Sequence, residues 1–247
     1  MLRHYPRCAA LAALLCALAA TGCGTAPPSP PMAAVQAEVL SAPADLAAPY
    51  AAQYAALAAQ GGRVLRLRPE ASQVHIYVFR AAGRGHNHVL TAPQFEGWLY
   101  WPGRAAAQPR FDLQFRLDQL VLDRPEERAA LGPGFAAPLS EAAIAATRDN
   151  MLGPKGLQAE RYPLLTIQAR EVQGEAPWFS ARVAVTLHGQ TRELRVPLQV
   201  SGLPEHVQAS GSLVLRQSDF GLRPYSALGG LLAVQDDVVV AFTLLGD

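Results

Sequence analysis

The feature that most restricts this chain is an alternation of apolar and polar residues with a period of two. Phe111, Leu113, Phe115 and Leu117 alternate with Asp112, Gln114, Arg116 and Asp118. A helix would scatter those four apolar groups around its circumference, whereas a strand puts them on one face. The pattern recurs at Val74, Ile76 and Val78, and again at Phe179, Ala181, Val183, Val185 and Leu187. Leu194, Val196, Leu198 and Val200 carry it on, then Leu213 and Leu215, and finally Val238, Val240, Phe242 and Leu244. Shorter candidates cover 64–67, 95–101 and 164–172. The count is about eight or nine strands, mostly joined by short turns such as His188-Gly189-Gln190.

One-sided alternation suits an antiparallel sheet with a wet face and a dry face. About eight such strands hide the dry face by stacking two sheets or closing a barrel, whose interior is then filled or holds one small ligand. Pro197 interrupts its strand and belongs where no N–H is needed. The chief exception to the β pattern is 124–156. There Ser140 caps a helix running to Met151, with Ile144, Thr147 or Arg148, and Met151 on one stripe, and Gly153-Pro154 stops it.

The first residues read as an address. Arg3 and Arg7 precede an apolar run over 8–20 that is too short for a bilayer core, which needs about 20 residues. Residues 1–22 are therefore expected to be a signal peptide. Ala20-Thr21-Gly22-Cys23 resembles the bacterial lipoprotein cleavage box, in which the cysteine is lipidated. Cys8 and Cys16 would leave with the leader and Cys23 would carry lipid, so the mature chain has no thiol or disulfide chemistry. Gly24 in place of an aspartate favours the outer membrane over inner-membrane retention. Residues 23–62 read as a proline-rich tether ending in an alanine-rich helix over 46–60, with Tyr50 and Tyr54 one turn apart and Gly61-Gly62 as the stop. One domain is expected over 63–247.

Composition narrows the function. The 247 residues are 50% hydrophobic and 17% charged, with 21 basic and 20 acidic residues. A disordered chain is more charged, and a nucleic-acid binder carries a basic excess. Removal of residues 1–22 takes away two arginines and no acid. No nucleic-acid partner is expected.

Several segments resemble the YceI-like family, lipocalin-like antiparallel barrels of the bacterial envelope that bind long polyisoprenoid chains. They are Ser72-Gln73-Val74-His75-Ile76, Gly85-His86-Asn87-His88, Phe95-Glu96-Gly97, Arg148-Asp149-Asn150-Met151-Leu152 and Tyr162-Pro163-Leu164-Leu165-Thr166-Ile167. Leu187-His188-Gly189-Gln190-Thr191-Arg192 and Arg216-Gln217-Ser218-Asp219-Phe220-Gly221-Leu222 complete the set. The resemblance implies a lipocalin-like β-barrel with a helical insertion, enclosing an apolar tunnel for a polyisoprenoid lipid or isoprenoid quinone, often in a homodimer. The residues expected at the ligand are His86, His88, Phe111, Phe115, Met151, Tyr162, Phe220, Tyr225 and Phe242. His86, His88 and Tyr225 would orient a head group.

No local motif for catalysis is present: no Gly-x-Ser-x-Gly, no His-Glu-x-x-His, no phosphate-cradling loop and no Cys-x-x-Cys. A non-catalytic carrier without a resident cofactor is the expectation. Two alternatives stand beside it. His86 and His88, at i and i+2 on a strand, would share a metal or haem with His75 or His188. Otherwise the barrel is filled and serves as a ligand-free envelope-stress module. His188 is read as a turn residue, and Arg216 with Asp219 as a clamp beside a buried Phe220.

Overall fold

The alternating segments form strands in the computed structural model, which describes residues 48–81, 84–103 and 107–247. The leader, Cys23 and the proline-rich stretch lie outside the described residues. Strands β1 (Gly62–Arg66), β2 (Gln73–Arg80), β3 (His88–Thr91), β4 (Glu96–Pro102), β5 (Arg110–Arg116) and β6 (Val121–Leu122) precede the helical insertion. After it come β7 (Leu164–Glu175), β8 (Trp178–Leu187), β9 (Gln190–Ser201), β10 (Val207–Arg216), β11 (Ser226–Ala227) and β12 (Leu232–Gly246). The three strands beyond the expected set, β3, β6 and β11, have four, two and two residues, too short to show a period.

All pair antiparallel in the order β1-β4-β5-β7-β8-β9-β10-β12-β2-β3-β6, with β11 on β12. The sheet curls into a half-barrel and is stitched shut at one end. The Arg66 and Arg68 N–H groups donate to the Asp247 and Leu245 carbonyls at 2.8 Å, and Leu67 N–H donates to Gly97 O at 2.9 Å. Residues 66–68 thus sit between β12 and β4. A Cβ at Gly97 would lie 2.7 Å from Leu67 Cδ1, so glycine is what lets these backbones approach. At the other end β2, β3 and β6 extend from β12 as a lap of sheet.

Two local devices keep the apolar faces turned inward. The β8–β9 hairpin has the two-residue loop His188-Gly189, with φ of +53° and +71°, the turn type whose twist matches the strands. In β7 a bulge lies between Ala169 and Glu171. Leu165 and Ile167 face inward before it and Val172 after it, so the extra residue changes the parity. Pro197 pairs with Ser180 of β8, while the β9–β10 ladder covers only residues 199–201, so its missing N–H costs no bond on the β10 side.

Helices cover the outside. The helix α1 (Ala48–Ala58) forms within the expected 46–60, but it is no part of a free tether. Tyr54 is fully buried against β4 and β5, so the folded unit begins before Arg63. The expected wet face of β5 is dry: Asp112 is buried beneath that cover, and Gln114 is buried as well. Over β2 and β3, residues 124–137 cross the outer face, beginning with α2 (Pro125–Ala130) and ending with Phe135 edge-on to Tyr77 and Phe79. The third helix, α3 (Glu141–Leu152), starts where Ser140 Oγ accepts the Ala143 N–H at 3.2 Å. Its Arg148 donates to the Asp118 and Leu120 carbonyls, and Ile144 and Met151 pack toward the barrel. No helix among the described residues is long and apolar enough to cross a membrane.

Candidate functional site

The inward faces do not meet in the middle. They enclose a cavity of about 1390 Å³, above the roughly 300–1,000 Å³ of ordinary small-molecule pockets. Ile76 and Val78 of β2, Leu99 and Trp101 of β4, and Phe111 and Phe115 of β5 line one side. Val183 and Val185 of β8, Leu213 and Leu215 of β10, and Val240 and Phe242 of β12 line the other. The barrel is hollow, which overturns the filled alternative. Among the described residues, Lys155, Arg216 and Arg223 are the charged members of the lining, and no carboxylate belongs to it.

Polar groups gather at the end opposite the 66–68 stitch. The register places the β2 C-terminus, the β3 N-terminus, the β8–β9 turn and the β10 C-terminus there. His86, exposed, lies before β3 rather than on it, so the two histidines do not share a strand face. His88 Nδ1 donates to Asp123 Oδ2 at 2.6 Å. Asp123 also accepts from Val89 N–H at 3.0 Å and from Arg128 Nη1 at 2.7 Å. Burial pushes the Asp123 carboxyl up, but the His88, Val89 and Arg128 donors outweigh it and hold the group below the usual carboxylate range. Arg128 further donates to the Asn87 and Ala137 carbonyls, at 2.7 and 3.1 Å. The network pins 124–137 to β3 and fixes the imidazole orientation of His88 at the cavity wall.

The other expected metal ligands are elsewhere. His75 points to the outer face and meets Glu127 Oε2 at 2.9 Å. His188 occupies its turn, where Nδ1 donates to Phe220 O at 3.1 Å. No cluster of three or more metal-ligating side chains forms among the described residues, because the strand parity separates His75 from the lumen and Asp123 occupies His88.

Of the residues expected at the ligand, His86, His88, Phe111, Phe115, Met151, Phe220, Tyr225 and Phe242 line the cavity. Tyr162 does not. It packs edge-on against His188 at 4.8 Å between ring centres, with Arg161 over its face, and so supports the turn from outside. The Arg216–Asp219 clamp also fails: Arg216 pairs with Asp236 at 3.4 Å, and Asp236 receives the Ser218 N–H at 2.8 Å. Phe220 is buried as expected, at 1% exposure. Sequence reasoning missed His188 as a lining residue. Its Nδ1 proton is committed to Phe220 O, and its Nε2 is buried without a protein partner. A side chain on a turn signal gives no periodic clue to which way it faces.

Residues 126–245 match the family model described as YceI-like domain. The chain carries a YceI-like domain. BcnA of Burkholderia cenocepacia has the same fold, with a TM-score of 0.53 at 15% identity over 72% of this chain and 98% of that one. A polyisoprenoid binding domain from Saccharophagus degradans, implicated in plant cell wall breakdown, aligns at a TM-score of 0.49 and 14% identity, covering 74% and 97%. The YCEI protein of Campylobacter jejuni aligns at 0.47 and 10%, covering 64% and 84%. No curated protein matches by sequence. This chain shares the fold of BcnA.

Proposed function

We propose that this chain is a non-catalytic carrier for one long, apolar, isoprenoid-type lipid, working in the periplasm as a lipoprotein anchored through Cys23. The observation that carries the reading is the hollow interior, about 1390 Å³ with a predominantly apolar wall. Each methylene taken out of water contributes about 0.8 kcal/mol, so a chain-like guest binds by burial and needs few polar contacts. Those few are at one end. Asp123 holds His88 in a fixed orientation at the cavity wall, and His188, its Nδ1 proton tied to Phe220 O, lines the same end with a buried Nε2 that has no protein partner. The leader, the lipoprotein-like box and the proline-rich stretch, rather than the barrel, support this localisation.

The test is organic extraction of the native protein followed by mass spectrometry of the extract. A prenyl lipid at near one per chain is the expected result. No lipid recovered, together with no uptake of an added polyprenol or quinone, overturns the reading. Mass spectrometry of the intact chain reads the terminus at the same time: a lipidated Cys23 is expected, and an unmodified chain still beginning at Met1 removes the anchor.

A further inference from the structure

A carrier must exchange its cargo with a lipid phase, and one element of this fold has the chemistry for it. The β11–β12 hairpin pairs Ser226 with Ala233 and Ala227 with Leu232, leaving residues 228–231 as a projecting turn. Its apolar side chains face solvent: Leu228 is 69% exposed, Leu231 56% and Tyr225 46%. Leu228 holds a φ of +51°, a backbone region unfavourable for a branched apolar residue, and gains no burial from it. Gly229 and Gly230 follow with φ of +65° and +91° and nothing within 4 Å of where a Cβ would lie. Nothing among the described residues accounts for two leucines displayed this way. Tyr225, Ala227 and Leu232 also line the cavity, so the exposed patch is continuous with the apolar interior.

Charge agrees. Arg84 is bridged to Leu232 at the base of the hairpin, and Arg223 lies two residues before Tyr225. Neither makes an ion pair with a described carboxylate, whereas Asp236 and Asp237 nearby are engaged by Arg216. The charged lining of the cavity is cationic throughout. Apolar tips between arginines beside an apolar mouth match the boundary between acyl chains and anionic head groups.

We propose that the 225–232 hairpin is a docking tip that inserts Leu228 and Leu231 into an anionic lipid surface and opens the cavity onto it. The proposal rests on the carrier reading for its purpose, but its test does not. A tryptophan is placed in the full chain at Leu228 (L228W) and, as a control, at Val214 (V214W), which is 55% exposed on the β10 wall. Each is mixed with vesicles of phosphatidylglycerol and phosphatidylcholine carrying brominated acyl chains. Quenching above the wild-type background is expected at 228 and not at 214, and it weakens in vesicles of phosphatidylcholine alone or in high salt. Equal quenching at both sites, or none at 228, overturns the docking tip; the second outcome makes the patch a protein contact.

A second arm measures uptake of dansylated farnesol. L228S/L231S is expected to slow uptake from vesicles by about tenfold or more while leaving uptake from detergent micelles unchanged. An equal loss from both sources, or from neither, also overturns it. If the wild type takes up no probe even from micelles, the carrier reading fails, and the quenching arm alone decides the docking.

Discussion

Across β4 and β5 the two faces of one sheet meet opposite fates. On the outside, α1 lays Tyr50 and Tyr54 against Tyr100 and Trp98, and every side chain in that cluster has a neighbour. On the inside, Leu99, Trp101, Phe111 and Phe115 are just as apolar and border a void. The residue types do not distinguish the two faces. What differs is whether another element is present to fill the space: α1 and residues 124–137 supply it outside, and the curl of the sheet encloses space that no side chain reaches. Stability should therefore reside in the covers, and binding in the hollow. Substitutions on the two faces separate these properties.

The largest expected effect is in the cover over β2 and β3. Arg128→Ala leaves Asp123, with a fully buried side chain, without its guanidinium partner, and the Asn87 and Ala137 carbonyls lose a donor. Removing one member of a buried pair costs about 3–5 kcal/mol. Urea unfolding should show that loss. Arg128→Met tests whether shape alone suffices: a loss as large as that of alanine is expected, because what costs is the lost donors to Asp123, Asn87 O and Ala137 O, with His88 and Val89 left as the only donors to Asp123 among the described residues. A loss under about 1 kcal/mol in either variant would mean that 124–137 is held by Phe135 packing instead.

The cover over β4 and β5 comes next. Tyr54 OH donates to Asp112 Oδ2 at 2.8 Å, and Gln53 Nε2 donates to the same oxygen at 3.1 Å. Tyr54→Phe keeps the packing and removes one donor from a buried carboxylate, at about 1–3 kcal/mol. Alkali should act on the same cluster. Burial, and then the Asp112 and Glu96 charges, push the Tyr50 hydroxyl up to about 12 from 10.0. Burial and Asp112 push Tyr54 higher still. A folded pKa above the unfolded one means stability that is whole below about pH 10 and is lost as pH rises through the folded value. Tyrosine absorbance and circular dichroism, followed together, should show Tyr50 and Tyr54 ionising only as the fold loosens. Early ionisation near pH 10 would show that α1 does not stay docked.

That cover also marks where the sequence stopped being readable. Periodicity exposed the long strands because each has a dry side and a polar side over five or more residues. It also misled at Asp112, since a polar residue on the outer face reads as solvated until a helix distant in sequence is laid over it. The short strand at His88 carried no period. That Phe111, Phe115 and Phe242 face inward was legible from strand parity, and their place beside a ligand only from the family resemblance; His188 was legible from neither, because a turn sets no parity. Tyr162 was assigned to the ligand through the motif that contains it, and the motif proved to brace the turn. Whether parity pointed to a filled core or a hollow depended on the space between strands, which no local pattern records.

The smallest stability effect, and the sharpest contrast with the covers, belongs inside. Val240 lines the cavity and is partly buried. In a packed core, Val→Phe overfills and costs about 1–3 kcal/mol. Beside a void the added ring has room, so Val240→Phe should change unfolding free energy by no more than about 0.5 kcal/mol, the range of a surface substitution. The ring occupies space that a guest would take. Native mass spectrometry should then find less co-purified lipid, and titration with a polyprenol should give a weaker affinity. Paired with Tyr54→Phe, which should weaken the fold and leave occupancy of the folded fraction intact, the variant tests the division directly. If Val240→Phe destabilises like a core substitution, the interior collapses around its own side chains in solution, and the hollow does not persist without a guest.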